Sequence, residues 1–86
     1  MYERDFADLQ LESQESLLSF LRIDLDFAGT FLDLAAAASD EQHRQLVQKV
    51  RSVIRTVRRF APRIVNPVER RDFQEEADRL EKLLAA

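Results

Sequence analysis

Leu46, Val50, Val53, Val57, Phe60 and Ile64 recur at spacings of four, three, four, three and four. That alternation is a heptad seam, the period with which one helix packs on another. Val47, Ile54 and Ala61 widen it along one flank. The pattern predicts an amphipathic helix over residues 40–61. Before it, the apolar pattern is broader. Tyr2, Phe6, Leu9, Leu17, Phe20, Phe27, Phe31 and Leu34 form one stripe, interrupted by Ser13 and Asp24. Leu18, Leu21, Leu25, Ala28, Leu32 and Ala35 form a second. Together they cover about 200° of a helical wheel. This predicts a helix over residues 2–38 with two packing partners and a central place in the fold. Toward the C-terminus, Phe73, Ala77, Leu80 and Leu84 make a narrow stripe, suited to a peripheral helix over residues 67–84.

Two hinges separate the patterns. Ser39 followed by Gln42 fits a capping box, in which the hydroxyl accepts from a backbone N–H of the first turn. Asp40 and Glu41 then stand where the helix dipole favours negative charge. At Asn66-Pro67-Val68-Glu69, Asn caps, Pro takes the first helical position and Glu can reach back. The expectation is a single all-α domain over residues 1–86, a small antiparallel bundle of three helices with a long first helix.

The lengths do not match. At ~1.5 Å per residue, a helix over residues 2–38 spans ~55 Å and its neighbour ~33 Å, leaving ~20 Å of overhang. One resolution is a homodimer in which Tyr2, Phe6, Leu9 and Leu17 form the interface, since an exposed aromatic stripe usually marks one. The other is a break near residues 12–16, with Ser13 and Ser16 as caps and a fourth helix folding back.

Composition supports the helical reading. One glycine and two prolines in 86 residues leave little for the turns that strands require. Without cysteine there is neither a disulfide nor a thiolate metal site. The first eight residues are acidic and lack an apolar stretch, and no run approaches a membrane span, so a cytoplasmic location is expected.

The net charge of −3 conceals a segregation. Residues 44–63 hold seven cations and no anion, whereas residues 1–43 hold ten carboxylates against two arginines. Arg44, Arg51, Arg55, Arg58 and Arg59 fall within about 100° of one helical face. They could bind phosphate or nucleic acid through bidentate contacts. A pI of ≈ 5.1 and the lack of interleaved aromatics oppose that use. The favoured use is internal. An antiparallel hairpin about Ser39 would set Asp33 near Arg44, Asp26 near Arg51, Asp24 near Arg55 and Glu15 near Arg63.

Catalytic chemistry has little support. Asp24 interrupts an apolar stripe, so its carboxylate must be paired or protonated, and an arginine partner is expected. Asp40 and His43 have the i, i+3 spacing of bundle metal ligands, but such sites need further carboxylates from other helices. Arg44-Gln45-Leu46-Val47 follows His43 without the Lys-Gly pair of histidine phosphotransfer domains. Gly29, the single glycine, suggests a slight bend or a close contact in the first helix. There is no phosphate loop or dinucleotide fingerprint. The sequence therefore points to a non-enzymatic, cofactor-free helical module that self-associates or binds another protein, with arginine-based anion binding as the alternative.

Overall fold

Each helix begins where a side-chain oxygen takes over from a missing backbone acceptor. The computed structural model describes residues 13–85. Ser13 is extended (φ −73°, ψ 131°) and its hydroxyl accepts from Ser16 N at 3.3 Å, starting α1 at Gln14–Ala36. Ser39 accepts from Gln42 N at 3.5 Å and starts α2 at Asp40–Phe60. Asn66 Oδ1 accepts from Val68 N and Glu69 N at 2.9 and 3.1 Å, and Pro67 opens α3 at Pro67–Ala85. A single 3-10 turn, Ala61–Arg63, ends α2 where Pro62 cannot continue it. The expected all-α fold with a long first helix is thus observed.

The first helix is shorter than its apolar pattern implied. The extended backbone of Ser13 begins α1 within the segment named as a possible break, so α1 does not run unbroken from residue 2. Tyr2, Phe6 and Leu9 lie outside the described residues.

The centre of the fold is α2, not α1. Val50, Val53, Ile54 and Val57 of α2 are buried, with Ala61 and Ile64 following in the connector. On one flank Phe60 meets Phe20 of α1 edge to face at 5.9 Å, and Lys49 lies 5.6 Å from the Phe31 ring. On the other flank Arg58 reaches Asp78 and Glu81 of α3. α1 and α3 both pack on α2 and contact each other far less. Arg22 makes that slighter contact, 3.5 Å from Glu69 and 6.0 Å from the Phe73 ring.

The core joins Leu17, Leu21 and Ala28 of α1 to the α2 seam and to Phe73, Ala77 and Leu80 of α3. Each fully buried Leu, Ile or Val contributes about 1.5–3 kcal/mol relative to exposure. Buried Ala28, Ala35, Ala61 and Ala77 let backbones approach closely where large side chains would hold them apart.

Polar side chains close both joints. The Gln14 amide clamps the α2–α3 connector from both of its ends: Nε2 donates to Arg63 O at 2.9 Å, and Oε1 accepts from Val65 N at 2.8 Å. Arg70 Nη1 donates to Ile64 O at 2.9 Å. At the other joint, His43 Nδ1 stands 3.0 Å from Ala35 O and donates to it when protonated, tying the end of α1 to the first turn of α2.

Two outcomes follow from these contacts. Nothing lies within 4 Å of a Cβ built on Gly29, and its φ is not positive, so no close contact explains the glycine. Gly29→Ala should raise the unfolding free energy by about 1 kcal/mol in urea titration. Gln14→Ala removes two bonds from connector backbone groups and should lower it by about 1–2 kcal/mol in the same assay.

Candidate functional site

The core-facing seam of α1 is Leu17, Leu21, Asp24, Ala28, Phe31 and Ala35, stepping by four, three, four, three and four. A second series with heptad steps lies on the same helix, rotated about 120° from the first. It comprises Phe20, Ile23, Phe27, Thr30, Leu34 and Ala37. Among the described residues, nothing covers its middle. Ile23, Phe27 and Leu34 are 54%, 53% and 55% exposed. Thr30, its one polar member, donates its hydroxyl to Asp26 O at 3.2 Å, so its donor is satisfied within the helix.

The face is continuous and structured. Phe27 stacks on Phe31 with ring centroids 6.1 Å apart. Phe20 and Phe31 lean inward against the core. At the hinge the face runs into an open depression of about 410 Å³, lined by Leu34, Ala37, Ala38, Gln42, Gln45, Leu46 and Lys49. Its rims differ in charge. On the wheel of α1, Asp26 and Asp33 follow the exposed seam on the side away from α2. On the other side stands α2, which presents Lys49 and Arg59, with Arg63 in the turn that follows it. The surface therefore passes from acid through apolar to base.

Leu17 was expected at an interface and is fully buried, so it belongs to the chain's own core. The five arginines do not act as one cluster. Arg58 is taken up by Asp78 at 2.8 Å and Glu81 at 2.9 Å, and these carboxylates hold its guanidinium well above its ordinary range of proton affinity. Arg51 lies close enough to Glu81 to help lower that carboxyl, after the larger effect of Arg58. Arg44 bonds Glu41 at 3.3 Å, and Arg55 donates to Ser52 Oγ at 3.2 Å. Arg59 leans over Phe60 at 5.5 Å, as Arg63 does at 5.0 Å.

Among the described residues, no ion pair joins the acids of α1 to the arginines of α2. The antiparallel register is the one expected, since Phe20 meets Phe60 and Phe31 meets Lys49. The facing is different. The arginine arc points toward α3 and solvent, while Asp26 and Asp33 lie on the far side of α1. Asp24 likewise has no arginine partner among the described residues. It is half-buried in the α1 core seam, where burial raises its carboxyl above the ordinary value. His43 directs its ring to the α1 terminus and shares an open surface dip with Asp40 and Arg44. Among the described residues, no group of three or more His, Cys, Asp or Glu is placed to hold a metal ion. No described helix is long and apolar enough to cross a membrane.

Compared with protein families, curated proteins and solved structures, the chain matches none.

The position of Asp24 sets a pH dependence. Its folded-state carboxyl titrates higher than in the unfolded chain, so between the two values the folded state binds more protons. Its contribution to stability is therefore greatest below its ordinary value and is lost as pH rises through the raised folded value. Asp24→Asn should raise Tm at pH 7. That gain over wild type should shrink as pH falls through the raised value, as thermal melts across pH would record.

Proposed function

We propose that this chain is a non-enzymatic helical self-association module whose contact surface is the exposed heptad face of α1. One observation carries the reading: a helix already packed through one heptad seam presents a second in which Ile23, Phe27 and Leu34 are about half exposed. Single exposed apolar residues are ordinary, but a contiguous row of them rimmed by charge is the usual form of an interaction site. Ile23, Phe27 and Leu34 have the spacing with which one helix lays side chains into another.

This reading moves the interface from the N-terminal stripe to the middle of α1. Phe27 and Leu34 are its anchors, with Ile23 beside them. The flat depression at the hinge extends the contact to Leu46 of α2.

Sedimentation equilibrium tests the reading. Wild type should show twice the 10.0 kDa of one chain, with little change at moderate salt. Phe27→Asp combined with Leu34→Asp places charge in the interface centre and should raise the dissociation constant by about 100-fold or more. Helical circular dichroism should be retained, because both side chains are outside the core. A wild type that stays monomeric at high concentration would contradict the proposal.

A further inference from the structure

The charge on the two rims of the α1 face selects how a second copy would dock, an inference that rests on the self-association reading. Asp26 and Asp33 flank the exposed seam on one side, and Lys49 of α2 stands on the other. A two-fold axis parallel to α1 brings each rim against the opposite rim of the partner. A two-fold axis perpendicular to α1, lying in the interface, brings acid against acid. Like charges facing across an interface are disfavoured, while opposite charges fix register and orientation.

The levels along the helix also agree. Because α1 and α2 are antiparallel, Lys49 lies beside Phe31. It therefore stands at a height between Asp26 and Asp33. In a parallel dimer with matched heights, each lysine would meet the acidic pair of the other copy. In an antiparallel dimer centred midway between Ile23 and Leu34, Asp26 of each copy would approach Asp33 of the other. We infer that two copies associate through α1 in parallel, about a two-fold axis along the helix, with Lys49 of each copy facing Asp26 and Asp33 of the other.

The absence of native cysteine makes disulfide trapping a clean test. Ile23→Cys and Leu34→Cys are prepared separately, one of them with a mass tag. Each is oxidised alone and then as a mixture of the two. A disulfide requires Cα atoms within about 7 Å, so only residues at the same height in the dimer will bridge. The parallel arrangement predicts that each variant cross-links to itself and that the mixture yields little mixed product. Predominant 23-to-34 product in the mixture, with little self-product, would overturn the orientation and leave self-association standing. No product in any sample, with a monomeric mass in sedimentation, would overturn both. No product with a dimeric mass would place the contact on another face and also overturn the inference.

Discussion

The fold depends on the packing of α2 against two neighbours at once. Its buried row of Val50, Val53, Ile54 and Val57 is wide enough to serve α1 on one flank and α3 on the other. α1 and α3 hold each other only weakly. This explains why the apolar faces of the three helices differ so much in use. The central apolar side chains of α2, Val50, Val53, Ile54 and Val57, are all buried. On α1, by contrast, burial ends abruptly once the helix turns away from α2. The outer seam is left over because α2 can cover only one side of a helix that carries apolar residues on two.

Polar contacts locate the helices along that hub. Gln14 fixes the start of α1 to the α2–α3 connector, and His43 fixes its end to the start of α2. Arg58 bridges to two acids on successive turns of α3. As an exposed ion pair it adds little net stability, but it orients α3. The basic character of α2 is thus partly an internal device, directed to α3 instead of the more acidic α1.

Much of this was legible in the sequence. The seam of α2 and the stripe Phe73, Ala77 and Leu80 of α3 follow from heptad periodicity, because burial on one side of a helix imposes it. The caps Ser39 and Asn66 follow from local hydrogen bonding and need no tertiary knowledge. What periodicity cannot give is which of two apolar stripes on α1 meets the hub. The observed core seam takes Leu17 from one stripe and Leu21, Ala28 and Ala35 from the other, and it leaves Phe27 and Leu34 outside. The arginine partners were misassigned for the same reason. Register along the hairpin follows from its hinge, whereas the rotation of each helix depends on packing in three dimensions. Gln14 gave no signal at all, since its value lies in two backbone groups about fifty residues away.

A covered core seam and an open outer seam on one helix make a specific claim about where a second molecule contacts this chain. Methyl NMR on dilution tests it most directly. The methyl resonances of Ile23 and Leu34 should shift as concentration falls and the dimer dissociates, while those of Leu17, Leu21 and Val50 stay in place. Unmoved Ile23 and Leu34 signals across the whole concentration range, or concentration-dependent shifts confined to other methyls, would contradict the account.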